Sequence, residues 1–142
     1  MKKLLLLILV LSGTIHLMAQ TKSTFTIKNS KSLPAWFENA ERTYTLNDDR
    51  IVEAEEIQYI GGFNPNKGEV FFIDNKEVVF SDSQIKINKV KNVITKTFTS
   101  GDYVIKISWD TTLSTGEYSE GKVTLTYKNI NQFKSPLIIS GM

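Results

Sequence analysis

The chain has 142 residues, 17 basic and 15 acidic side chains, one His and no Cys. This length suits a single domain with one core, since two domains would each be too small. The lack of Cys excludes disulfide bonds, thiol nucleophiles and thiolate-bound metals.

The N-terminus has the order of a cleavable secretory signal. Lys2 and Lys3 precede eight apolar residues, Leu4 to Leu11, and Ala19 offers a small residue before the expected cut. The apolar run is shorter than the roughly 20 residues that span a bilayer, which argues against a permanent membrane anchor. The sequence therefore predicts a signal peptide over residues 1–19 and an exported, periplasmic or extracellular domain over residues 20–142.

Removal of this segment would change the chemistry of the product. It would take away Lys2, Lys3 and the only histidine, His16, and leave 15 basic against 15 acidic residues. A domain with no net charge is not expected to bind nucleic acid through a basic surface. Without imidazole or thiol, the sequence predicts no cofactor and no histidine-dependent catalysis.

From Phe25 onward, short segments alternate apolar and polar residues and are separated by Gly, Asn, Asp, Ser and Pro. This period of two is typical of half-buried strands. The clearest predicted strands are Thr24–Lys28, Arg42–Leu46, Glu69–Asp74, Lys76–Ser81, Gln84–Val90, Asn92–Thr99, Tyr103–Thr112, Lys122–Lys128 and Leu137–Ser140.

The connections are less uniform. Asp74-Asn75-Lys76 predicts a tight hairpin, and Ser100-Gly101-Asp102 predicts a three-residue hairpin loop. A short helical turn or two is expected between Ser32 and Ala40. Residues 50–60 fit neither period well; we expect a bulged strand rather than a helix there, ended by Gly61-Gly62.

About nine or ten short strands without repeated strand-helix-strand units predict an all-β, antiparallel fold. A two-sheet sandwich of immunoglobulin-like type and a small closed barrel of lipocalin-like type both fit this pattern. The paired Cys of the first and the Gly-x-Trp signature of the second are absent, so the sequence supports neither family.

Two sets of residues are candidates for binding. Trp36 and Phe37 lie in a Pro-containing turn, where they would form either an aromatic platform for a sugar or apolar ligand or one end of the core. A lysine-rich stretch would attract an acidic protein, a glycan or anionic lipid, or would simply prevent edge-to-edge aggregation. Its members are Lys86, Lys89, Lys91 and Lys96.

The acidic residues form no recognisable catalytic motif. The candidates for carboxylate chemistry are Asp48, Asp49, Glu53, Glu55 and Glu56. Asn47, Asp48 and Asp49 are also weak candidates for calcium, although the spacing of a calcium-binding loop is missing.

The sequence therefore predicts a non-catalytic binding protein of the bacterial cell envelope that recognises a protein partner or a small apolar or sugar ligand. The alternative is a structural or adhesive subunit of a surface assembly, and a carboxylate-dependent hydrolase is a distant third. An enclosed apolar cavity would favour a small ligand, whereas a filled core would favour protein recognition.

Overall fold

A computed structural model describes residues 22–46 and 57–141, and in these ranges all regular structure is β-strand or short 3-10 turn. No helix in the described residues is long and apolar enough to cross a membrane. The 3-10 turns are Ser30–Ser32, Ala35–Asn39 and Thr111–Leu113. The strands are β1 (Arg42–Thr45), β2 (Tyr59–Asn64), β3 (Gly68–Ile73), β4 (Lys76–Phe80), β5 (Asp82–Asn88), β6 (Val93–Ser100), β7 (Tyr103–Asp110), β8 (Tyr118–Tyr127) and β9 (Ile130–Ser140).

The nine strands form one antiparallel sheet in the order β4-β3-β2-β1-β9-β8-β7-β6-β5, and the sheet curls into a half-barrel. The prediction of an all-β, antiparallel fold is confirmed. The edge strands β4 and β5 follow each other in the chain with only Ser81 between them. The chain therefore changes its pairing partner from β3 to β6 within one residue.

The concave face of the sheet is filled by aromatic and aliphatic side chains. Phe71 lies at its centre, with its ring stacked on Tyr44 at 5.0 Å and in contact with Phe80 and Phe98 at 5.5 and 5.9 Å between centroids. On β7, Ile105, Ile107 and Trp109 alternate with more exposed residues and are buried together in this core. The rings in this part of the core therefore pack directly against one another.

A second apolar layer covers the convex face of β3. Val70 and Phe72 are fully buried there, although they lie on the side opposite Phe71. The 3-10 turn Ala35–Asn39 supplies the cover, with the Phe37 ring 6.1 Å from that of Phe72. Because β3 is covered on both sides, residues 70–73 are all apolar instead of alternating with polar residues.

Two hairpins have the same turn geometry. Asp74 and Asn75 both have positive φ, 49° and 63°, as expected for the predicted tight hairpin between β3 and β4. Lys128 and Asn129 repeat these angles between β8 and β9. This second turn was not expected from the sequence, so β9 begins at Ile130 instead of the predicted Leu137.

The predicted strand end at Gly61-Gly62 is wrong. Gly61 and Gly62 do not end a strand but lie inside β2. A Cβ at Gly61 would collide with the carbonyl oxygen of Val70, and one at Gly62 would lie 2.7 Å from the carbonyl oxygen of Arg42. The glycines therefore allow neighbouring backbone to approach closely. Residues 50–56 of the predicted bulged strand lie outside the described residues.

Three further predicted elements differ from the structure. The segment Thr24–Lys28 makes only isolated bridges, Phe25 to Ile73 and Lys28 to Tyr59, and so adds no strand to the sheet. The predicted strand Gln84–Val90 is too long at its end, since β5 ends at Asn88 and Lys89 lies in a turn. The loop between β6 and β7 has two residues instead of three, because Ser100 pairs directly with Tyr103.

Candidate recognition surface

The concave face continues beyond the filled core onto β5. In the strand register, Ile85 pairs with Lys96, and Ile87 pairs with Ile94, which in turn pairs with Trp109. Paired side chains lie on the same face of a sheet. Ile85 and Ile87 are nevertheless 55% and 64% exposed, because β5 is the last strand of the described sheet. We call Ile85, Ile87 and Ile94 the open apolar face.

A tight turn closes the β5–β6 hairpin at its outer end. The Asn88 side-chain oxygen accepts hydrogen bonds from the backbone N–H groups of Val90 and Lys91, both at 3.1 Å. Asn92 completes the turn with a positive φ of 51°. Val90 is 93% exposed at the tip. The hairpin thus presents apolar side chains to solvent on a backbone that is held by its own hydrogen bonds.

The four predicted lysines all lie on this hairpin, but not on one face. Lys86 alternates with Ile85 and Ile87 and so lies on the convex side, whereas Lys89 and Lys91 are exposed in the turn. Lys96 lies on the concave side, paired with Ile85. The hairpin from Asp82 to Lys96 contains one acidic and four basic residues, a net charge of +3.

A polar cluster lies beside this surface, inside the half-barrel. Arg42 donates a 2.7 Å hydrogen bond from Nη1 to Oε1 of Glu69, and Tyr44 donates its hydroxyl to Oε2 of the same carboxylate at 2.9 Å. Glu69 and Tyr44 are both buried. These residues were not among the candidates predicted from the sequence, although Glu69 shares the inward phase of Phe71 and Ile73, which indicates a buried carboxylate.

The cluster has an excess of positive charge toward the hairpin. Arg42 and Lys96 line one narrow crevice together with Trp109, Ile107 and Ile139. Burial lowers the pKa of Lys96, as does the neighbouring positive charge of Arg42, while Glu69 opposes the shift. The Arg42 Nε is buried and has no hydrogen-bond partner among the described residues. Two cations therefore face one carboxylate at the inner margin of the open apolar face.

An open cleft of about 350 Å³ lies at the end of β7, next to the 3-10 turn Thr111–Leu113. Asp110 in its wall accepts hydrogen bonds from the hydroxyl and the backbone N–H of Thr112, and these bonds lower the pKa of Asp110. The lining residues are Val93, Ser108, Trp109, Asp110, Leu113, Glu120, Gly121 and Lys122.

Trp36 and Phe37 lie away from this end, on the convex face. Phe37 is buried and its ring contacts Tyr59 edge-on at 5.1 Å. Trp36 is half-buried and donates its indole N–H to Glu77 at 3.1 Å. The pair covers the convex side of β2 and β3, and the structure does not bring it together with the lysines.

The calcium candidates Asn47, Asp48 and Asp49 and the acidic residues Glu53, Glu55 and Glu56 lie outside the described residues. Among the residues that are described, no group of His, Cys, Asp or Glu has the arrangement of a metal site.

No protein-family model, characterised protein or solved structure matches the chain.

Proposed function

We propose that the protein is a non-catalytic binding protein of the bacterial cell envelope, exported by the predicted signal peptide, that recognises a protein partner through the open apolar face. The observation that carries this proposal is the exposure of Ile85 and Ile87, at 55% and 64%, on an edge strand that nothing else in the described chain covers. Contiguous apolar surface of this kind is typical of interaction sites.

The state of the interior supports a macromolecular partner over a small ligand. Phe71 and its ring neighbours fill the concave face, and the crevice beside Lys96 has no room for a water molecule. The cleft of about 350 Å³ beside Thr111–Leu113 is open to solvent rather than enclosed. A small-molecule site usually buries most of its ligand in a preformed cavity. The single curled sheet further favours the barrel-like architecture over the two-sheet sandwich.

Catalysis is not part of the proposal. The cleft beside Thr111–Leu113 is lined by Asp110 and Glu120, but the hydrogen bonds from Thr112 lower the pKa of Asp110. An acid that donates a proton to a leaving group needs a raised pKa instead.

The experiment is selection of random peptides displayed on phage, with the folded domain as the target. Each enriched peptide is compared on the parent domain and on the double variant Ile85→Thr/Ile87→Thr. A Val79→Thr variant is the matched control, since Val79 is 39% exposed on the other edge strand, β4. We expect peptides that bind the parent and the control but not the double variant. Enriched peptides that bind all three proteins equally would contradict the proposal.

The structural or adhesive subunit is the second candidate, because an unpaired edge strand also permits pairing between copies. Size-exclusion chromatography separates the two: a binding protein elutes as a monomer over the accessible concentration range, whereas an assembling subunit elutes as an oligomer.

A further inference from the structure

We propose that β5 accepts an extended, acidic segment of a partner protein as the next strand of the sheet. This inference rests on the proposed role in protein recognition and specifies the partner's backbone and charge. It is drawn from three properties of the hairpin, namely its free backbone edge, its alternating side chains and its net charge.

The backbone edge is long enough to hold a strand. All seven residues of β5 pair with β6, from Asp82 opposite Thr99 to Asn88 opposite Val93. An edge strand directs alternate N–H and C=O groups away from its neighbour, and no strand of the described residues pairs with the other side of β5. Addition of an extended peptide to such an edge is an established mode of recognition.

The side chains on the two faces of β5 specify what the added strand should carry. Ile85 and Ile87 are exposed on the concave face and would pack against aliphatic residues of the incoming strand. Lys86 lies between them on the convex face, where an acidic residue would be its natural neighbour. The expected partner sequence thus alternates aliphatic and acidic residues.

The charge distribution favours an acidic partner over a second copy of the chain. The hairpin from Asp82 to Lys96 has a net charge of +3, and one of its four lysines, Lys96, lies at the inner margin of the apolar face beside the Arg42–Glu69 ion pair. Pairing of β5 with β5 from another copy would bring two such hairpins together, which like-charge repulsion disfavours. An acidic strand avoids this repulsion and is attracted to the lysines of the hairpin.

The test uses synthetic peptides of about eight residues, the length that matches β5. One peptide alternates Glu and Val, and its matched control replaces every Glu by Lys. Binding of labelled peptide to the whole folded domain is measured by fluorescence anisotropy. We expect the acidic peptide to bind at least about tenfold more tightly than the basic one, with an affinity that falls as salt is added.

Backbone methylation tests the mode of binding. Two further acidic peptides carry N-methyl groups on alternate residues, one on the Glu positions and one on the Val positions. Only one set of amides faces β5 in a paired strand, so we expect one of the two peptides to lose at least about tenfold in affinity and the other to bind as the parent does. Equal effects of both methylation patterns would overturn strand addition.

Charge reversal on the protein tests the surface. The variant Lys86→Glu/Lys89→Glu/Lys91→Glu changes three exposed lysines, and Lys106→Glu/Lys122→Glu/Lys134→Glu changes three exposed lysines of β7, β8 and β9 by the same total charge. We expect about a tenfold loss of acidic-peptide affinity for the hairpin variant and little change for the control. Thermal unfolding verifies that both are folded.

Equal losses in the two triple variants, equal binding of acidic and basic peptides, or dimerisation through β5 would each overturn the inference. The first two of these results would not contradict the proposed role in protein recognition, because peptides from the phage selection can depend on Ile85 and Ile87 without being acidic or extended. Failure of that selection to yield any peptide dependent on these isoleucines counts against the proposed function itself.

Discussion

Tyr44 donates its hydroxyl to Oε2 of Glu69 at 2.9 Å, which joins a phenol and a carboxylate inside the half-barrel. The other carboxylate oxygen of Glu69 accepts the 2.7 Å hydrogen bond from Arg42. Both oxygens of one buried carboxylate are thus used to fix residues of β1 against β3. The cluster connects strands that are not neighbours in the sheet, since β2 lies between them.

Replacement of Glu69 by Gln should destabilise the protein. The change keeps the size of the side chain but removes the negative charge that balances Arg42, whose side chain is 23% exposed. Because Arg42 is not fully buried, we expect a loss of about 2–3 kcal/mol in the free energy of unfolding, below the usual range for a fully buried pair. Urea unfolding followed by Trp fluorescence measures it.

The matched control is Glu77→Gln. Glu77 forms a longer, more exposed pair with Lys67 at 3.6 Å, and an exposed pair contributes less than about 1 kcal/mol. An equal loss in the two variants would show that the charge at position 69 has no special stabilising role.

Tyr44→Phe should change how stability depends on pH. Burial raises the pKa of Tyr44 far above its ordinary value of 10.0, and the neighbouring charge of Glu69 adds to the shift. Above that ordinary value the unfolded chain releases the tyrosine proton while the folded protein keeps it. The unfolded state then binds fewer protons, so the free energy of unfolding falls as the pH rises.

The phenylalanine variant lacks this contribution, so its stability should fall less steeply above the ordinary tyrosine pKa. Below that value we expect only the loss of the hydrogen bond to the buried Glu69 carboxylate, about 1.5–3 kcal/mol. Urea unfolding over a series of alkaline buffers gives both slopes. Parallel curves for the two proteins would contradict the assigned shift.

Gly121→Ala should destabilise the sheet between β7 and β8. A Cβ at this position would lie 2.5 Å from the Ser108 carbonyl oxygen and 3.1 Å from Cβ of Trp109. Backbone must therefore move, at a cost of about 1–3 kcal/mol. Thermal unfolding is the measurement, with Lys122→Ala on the same strand as the control, since Lys122 is exposed. A melting temperature equal to that of this control would be evidence against the close approach.

Lys128→Gly should stabilise the protein. Lys128 has a positive φ of 49°, a conformation that costs energy for a residue with a Cβ but not for glycine. We expect a gain of up to about 1 kcal/mol, reduced by the greater freedom of glycine in the unfolded chain and by loss of the Lys128 contact with the Tyr127 ring.

The same substitution in an extended strand serves as the control for this turn. Lys134 is exposed in β9 and does not have positive φ, so Lys134→Gly should lower the melting temperature. Changes of the same sign in the two variants would show that turn geometry does not decide the effect.

The alternation of residues was sufficient to predict the all-β, antiparallel fold. It also predicted the turn at Asp74 and Asn75, because these residues tolerate positive φ. It did not predict the turn at Lys128, since lysine carries no such signal, and it misread Gly61-Gly62 as a boundary because glycine both ends strands and admits close neighbours.

The candidate surface was only partly predictable for a different reason. The sequence selected the lysines of the hairpin, but Ile85 and Ile87 alternate like any half-buried strand, and their exposure depends on the absence of a neighbour beyond β5. Likewise, the alternation predicts that Glu69 points inward, but it does not predict its partners. Arg42 and Tyr44 come from a strand 25 or more residues earlier in the chain. Such proximity follows from sheet order, which alternation does not encode.

Ser81 links the two edge strands of the sheet, β4 and β5, which are not hydrogen-bonded to each other as neighbouring strands. One residue between β4 and β5 lets the flanking Cα atoms of Phe80 and Asp82 separate by at most about 7 Å. The two edges of the half-barrel are therefore tethered covalently where no ladder joins them. A force applied to β5 by a bound strand would pass through this tether directly to β4, so the load would be shared by both ends of the sheet.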